Sequence, residues 1–195
     1  MGDITGPLYG RPGVNYTFCI TVTDPEGDSV LCQWDWGDGS NTGWLGPYSS
    51  SDEICAMHAW SSEGLYSIRV KLKDEFGAES EWSEVFLIYI DGTPPTLEIR
   101  KPQQGSLYIM NEWRRSCPAT IVLGKITLEV SVTDNTSGVS HVQFIIDDVL
   151  KGNITTEPYE WIWTQKTFFR HTIQVIAYDI AGNNASKQIE VWKFF

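Results

Sequence analysis

The chain has 195 residues, of which 42% are hydrophobic and 13% aromatic, with nine tryptophans and a formal net charge of −11. That apolar content is enough to build real cores, yet no window approaches the ~18 apolar residues of a membrane-spanning helix. The acidic excess argues against nucleic acid as a partner, because such binding needs a basic footprint.

The first half reads as short strands separated by turn residues. After an opening edge strand near 4–9, interrupted by Gly6 and Pro7, strands are expected over 15–23, 30–36, 53–60, 66–73 and 84–90. Each alternates apolar and polar residues with period two, and Gly, Pro, Asp and Ser punctuate the gaps. No stretch carries convincing helical periodicity. The densest signal is Trp34-Asp35-Trp36-Gly37-Asp38-Gly39. Two tryptophans at i and i+2 load one face of a strand, and Gly-Asp-Gly supplies a sharp exit from it. Then come His58-Ala59-Trp60, Gly64-x-Tyr66-x-Ile68-x-Val70 and Lys73-Asp74-x-Phe76-Gly77.

This ordered series, over roughly residues 3–90, resembles the PKD domain, an immunoglobulin-like β-sandwich of cell-surface and secreted proteins. The resemblance makes the strands around Cys19 and Cys55 neighbours in one sheet. Both cysteines alternate out of phase with inward residues, so either a cross-strand Cys19–Cys55 disulfide or free thiols is expected. Cys32 shares the face of Trp34 and Trp36 and reads as a small buried residue. None of the four cysteines falls in a C-x-x-C or a Cys/His spacing, so zinc is not indicated.

Asp91-Gly92-Thr93-Pro94-Pro95 marks a boundary, because consecutive prolines impose an extended connector. The expected domains are therefore 1–91 and 92–195. Charge divides at the same place: residues 1–91 hold 15 Asp/Glu against four Lys/Arg, whereas residues 92–195 hold ten of each.

In the second half strands are expected over 96–101, 106–110, 125–133, 139–146, 149–153, 159–163, 171–178 and 185–192. Residues 110–124, with Trp113-Arg114-Arg115 and Cys117-Pro118, break the pattern and read as a loop on the sandwich edge. The phrases Val132-Thr133-Asp134-Asn135, Glu157-Pro158-Tyr159-x-Trp161 and Ala177-Tyr178-Asp179-x-Ala181-Gly182-Asn183 carry a second resemblance over 94–193. They are similar to the Ig-like, fibronectin type III-like modules of bacterial and archaeal extracellular proteins. The fold class expected is all-β, two immunoglobulin-like sandwiches in tandem.

Chemistry is sparse. Gly-x-Ser-x-Gly, His-Glu-x-x-His and phosphate-cradling glycine loops are all missing, and the three histidines are scattered, so the chain reads as non-enzymatic. His58 is expected to donate to backbone at the core edge. Asp24, Glu26 and Asp28 place oxygens at alternate positions of one loop. They suit calcium, as some PKD-like domains bind it near here, or plain turn hydrogen bonding. Asp35 and Asp38 read as holding their own turn. Asn15, Asn135, Asn153 and Asn184 lie in N-x-[ST] sequons, four of the seven asparagines. Trp44, Trp82, Trp113 and Trp161 fall outside the clearest inward positions, and residues 41–51 form the best candidate contact loop.

Met1-Gly2 runs straight into domain sequence without a basic-then-apolar leader, so the chain reads as an excerpt of a longer protein. The expected role is an extracellular spacer or adhesion segment of a surface or secreted protein. Its partners would be neighbouring domains, other surface proteins or glycans. Two alternatives are a self-assembling subunit of a filament or surface layer, and an accessory binding module of a secreted hydrolase.

Overall fold

The computed structural model describes residues 2–24 and 27–195. Among them regular structure is entirely β, and no helix is long and apolar enough to cross a membrane. The chain divides into two compact units between Gly92 and Thr93.

The first unit contains β1 (Tyr9–Gly10), β2 (Tyr16–Thr21), β3 (Val30–Asp35), β4 (Leu45–Tyr48), β5 (Glu53–His58), β6 (Gly64–Lys73) and β7 (Phe86–Ile90). A five-stranded sheet of order β1-β7-β6-β3-β4 faces the pair β2-β5. Period-two alternation does the work: Val30, Cys32 and Trp34 point inward from β3, Ile68, Val70 and Leu72 from β6, Phe18 and Ile20 from β2. Trp34 and Trp36 stack at 5.5 Å, and the Trp60 indole N–H donates to the Trp36 carbonyl at 3.1 Å.

Two expectations change here. The opening strand does not run along 4–9. Thr5 makes an isolated bridge to Cys19, and Tyr9 then pairs in parallel with Tyr89 in the other sheet. The crossing between sheets is why Gly6 stands there, since a Cβ would lie 2.3 Å from the Phe18 ring. The contact loop at 41–51 contains β4, paired to β3 through Val30↔Tyr48 and Cys32↔Leu45. Its Gly-Pro centre hid it from any alternation test.

The second unit contains β8 (Thr96–Lys101), β9 (Ser106–Ile109), β10 (Glu112–Ser116), β11 (Ile121–Leu123), β12 (Ile126–Thr133), β13 (Val139–Ile146), β14 (Val149–Ile154), β15 (Glu160–Trp163), β16 (Phe168–Asp179) and β17 (Asn184–Phe194). A seven-stranded sheet, β10-β9-β11-β17-β16-β13-β14, faces a three-stranded one, β15-β12-β8. Phe144, Val175 and Val191 from the first meet Leu128, Val132 and Trp163 from the second in a separate core. The 110–124 segment is not a loop. Met110 and Asn111 form a turn at positive φ (49° and 78°), β10 folds back on β9, and β11 lies between β9 and β17, parallel to both.

Candidate interaction surfaces

Trp34 faces inward near the end of β3, which turns Asp35, its last residue, outward ahead of the Gly37-Asp38-Gly39 turn. The Gly37 N–H donates to Asp35 Oδ1 at 3.0 Å, and Arg69 Nη2 meets Asp35 Oδ2 at 2.9 Å. Asp38 accepts from the Ser40 N–H (2.9 Å) and the Ser40 hydroxyl (2.6 Å). Its other oxygen lies 2.8 Å from His58 Nε2. His58 therefore bonds to a carboxylate, not to backbone as expected, and its ring lies flat on Trp36 at 4.8 Å. Partial burial pushes the Asp38 carboxyl up. Hydrogen bonds from Ser40 and His58 outweigh it, and the group sits below the ordinary aspartate value.

The outer face of β6 carries three of the four cations of residues 1–91. Lys71 Nζ lies 5.2 Å from the ring centroids of both Trp44 and Trp82. Lys73 sits 5.0 Å from Trp44, and Arg69 5.3 Å from Trp82. Glu79 receives Lys71 at 2.5 Å and Lys73 at 3.4 Å. The loop is laced to β6 because Val70 and Leu72 N–H groups donate to the Ser83 and Ser80 hydroxyls. This interleaved ladder covers indole faces with ammonium and guanidinium groups, an arrangement suited to cation–π attraction. Further along the same sheet face, Tyr9, Tyr89 and Leu65 stand in one cross-strand row beside Leu87, all exposed.

Cys19 and Cys55 face each other in the β2–β5 register and are joined as a disulfide, with Cα atoms 4.1 Å apart. Cys32 and Cys117 are free thiols. Of the calcium candidates, Glu26 lies outside the described residues. Asp24 Oδ1 accepts the Asp28 N–H at 3.0 Å and the Asp24 carbonyl accepts the Gly27 N–H at 3.2 Å, so this loop is closed by turn hydrogen bonds. Asn15, Asn135, Asn153 and Asn184 are all exposed.

In the second unit, Asp134 accepts from the N–H groups of Thr136 (3.1 Å) and Gly138 (2.7 Å). Asp179 accepts from those of Gly182 (2.6 Å) and Asn183 (2.7 Å). The two turns join through the Ile180 N–H and the Gly138 carbonyl at 3.0 Å. At another loop Asp147 bonds the Thr172 N–H (2.9 Å) and His171 Nδ1 (2.5 Å), while His171 Nε2 meets Thr167 Oγ1 at 2.8 Å. Partial burial pushes the Asp147 carboxyl up, but hydrogen bonds from His171 and Thr172 hold it below the ordinary aspartate value. Carboxylate, imidazole and hydroxyl in a row is the arrangement that activates a nucleophile. The cavity beside it is only about 120 Å³, well under the roughly 300–1,000 Å³ of small-molecule pockets. The row ties the β13–β14 turn to the start of β16. Nothing in the sequence pattern signalled it, because the partners stand 24 residues apart.

Trp161 packs against the core of this unit. Trp113, on β10, is 55% exposed. All five side chains of β10 are exposed, and a bulge at Arg114 interrupts its pairing with β9.

Comparison with known proteins places two families on this chain. The PKD domain profile matches residues 4–86, and the bacterial Ig domain profile matches residues 95–175. A microbial collagenase of Vibrio alginolyticus is 32% identical over 95 residues, a match spanning 48% of this chain and only 11% of the collagenase. The PKD domain of an M14-like peptidase from a Thermoplasmatales archaeon is 36% identical, covering 45% of this chain and 90% of that one, with a TM-score of 0.43. Fibronectin(III)-like modules of Clostridium thermocellum CbhA superpose over 98% of this chain and 94% of theirs, at 19% identity and a TM-score of 0.57, which is a likeness of fold.

Proposed function

Since residues 4–86 belong to the PKD domain family and residues 95–175 to the bacterial Ig domain family, we propose that this pair is a non-catalytic spacer and interaction segment of a larger extracellular protein. The observation that carries this reading is how the polar side chains are used. Asp35, Asp38, Asp134, Asp147 and Asp179 each point back to hold a turn or a neighbouring strand. Each unit also buries its own core, so neither needs the other's apolar face to fold. The exposed face of β1, β7 and β6, with its tyrosines and leucines, is the contact surface this role would use.

The surrounding protein is read as a secreted peptidase or surface protein, supported by the identity to a collagenase. Filament assembly by strand addition fits less well. The edge strand β10 carries a bulge and two arginines, which are standard devices against edge pairing. The opposite edge, β14, carries exposed Asn153, and a glycan there would cover it. Sedimentation velocity over a hundredfold range of concentration tests the reading. A single monomer species is expected, and reversible growth into chains would replace the spacer with the assembling subunit. Intact mass of the protein from its native source reports whether the four sequons are occupied.

A further inference from the structure

We propose that the groove beside Trp113 in the second unit binds a neutral saccharide. Its origin is the β9–β10 hairpin. The Met110-Asn111 turn folds β10 over the edge of the sandwich, and the register sets Trp113 directly across from Tyr108. Cross-strand partners share a face, so the exposed indole and the buried tyrosine line the same groove. The groove measures about 350 Å³ and is also lined by Arg100, Gln103, Asn111 and Glu112.

The polar groups around that aromatic pair are of both kinds and are pre-set. Asn111 Oδ1 accepts the Thr127 N–H at 2.8 Å, which leaves its NH₂ as donor. The Tyr108 hydroxyl accepts the Gln103 N–H at 3.1 Å, fixing the ring and the chain beside it. Lys101 bonds Glu129 at 3.2 Å and lies over the Tyr108 ring, 6.0 Å from its centroid, so the open stacking face of the groove is that of Trp113. Arg100, paired with Glu98 at 3.0 Å, keeps further N–H groups. Gln103 and Glu112 are exposed and add an amide and an acceptor. A pyranose ring has an apolar C–H face and a rim of hydroxyls that both donate and accept. An open indole edged by amides, a guanidinium and a carboxylate matches both features, and the groove lies at the small end of the ligand-pocket range of roughly 300–1,000 Å³.

A protein partner fits less well, since the core of a protein interface is depleted of charged residues, whereas Arg100, Lys101, Glu112 and Glu129 all line this groove. Trp44 and Trp82 are poorer platforms because Lys71 already lies over both rings.

The proposal stands apart from the spacer reading and can fail alone. Retention is measured on microcrystalline cellulose, chitin and cross-linked starch, with fluorescence titration by the matching hexasaccharides. The parent chain is expected to be retained on at least one of these polysaccharides. Trp113→Ala should cut that retention about tenfold or more, a loss of roughly 1.4 kcal/mol. Trp44→Ala and Trp192→Ala, the latter 42% exposed on β17, should retain it. An unchanged melting curve for Trp113→Ala shows that the fold survives. No retention by the parent overturns the proposal, as does equal retention by Trp113→Ala. So does Trp113-dependent capture on immobilised gelatin alone, which would assign the groove to a protein.

Discussion

Removing the Cys19–Cys55 bridge should weaken the first unit selectively. The bridge spans 36 residues. Closing a loop of that length withdraws about 13 cal/mol/K from the unfolded chain, or about 4 kcal/mol at 25 °C. Cys55 is exposed and Cys19 half-buried, so Cys19→Ala/Cys55→Ala leaves no core cavity to confuse the result. At about 4–8 °C per kcal/mol for a domain of 60–100 residues, the midpoint should fall by on the order of 15–30 °C. Differential scanning calorimetry reads this directly. Both cysteines lie in the first unit and each unit has its own core. Only one of two transitions should therefore move, and the second unit serves as internal reference. Thiol titration in denaturant without reductant should find two reactive cysteines, Cys32 and Cys117. Four reactive thiols, an unmoved first transition, or equal displacement of both would refute the reasoning.

Other consequences are open to the same instruments. Gly37 has φ +75°, and a Cβ there would lie 2.6 Å from the Ser67 carbonyl oxygen, whereas Gly39, at φ +89°, has nothing within 4 Å. Both alanine variants incur the left-handed backbone cost of about 1–3 kcal/mol. Gly37→Ala must also push the β6 backbone, so its midpoint should fall further, and equal losses would show that the close approach is unimportant. Asp38 and Asp147 sit below the ordinary aspartate value of about 3.9. Each therefore contributes stability above about pH 4 that disappears as pH falls through its lower folded value. Both are partly exposed, at 24% and 50%, which holds each contribution to about 1 kcal/mol or less. Asp38→Asn and Asp147→Asn should lower the midpoint at pH 7, and the gap to the parent should narrow as the pH is taken below about 4; a gap that widens on acidification would reverse the sign of this argument. With the Asp24 turn closed by its own hydrogen bonds, the first-unit midpoint should match in calcium and in chelator. A rise in calcium that Asp28→Asn removes would establish a cation site instead.

What the sequence revealed depends on how each strand is buried. In β3 and β13 one face is packed and the other wetted, so alternation is written into the residues; Val139–Ile146 is read without error. In β10 all five side chains are exposed, so Glu-Trp-Arg-Arg-Ser has no alternation to detect, and the same exposure that hid the strand makes Trp113 available. Local polar devices were also legible: Asp35 and Asp38 bond N–H groups two residues on, a distance that composition of the turn announces. Pairs built between segments distant along the chain were not. His58 reaches Asp38 over 20 residues, and His171 reaches Asp147 over 24. Lys71 meets Trp44 and Trp82 only because β6 lies between the loops that carry them. Periodicity fixes which way a side chain points from its own strand, and the loops decide what it meets there. In a sandwich the core is therefore readable from one chain, while its surfaces have to be found in three dimensions.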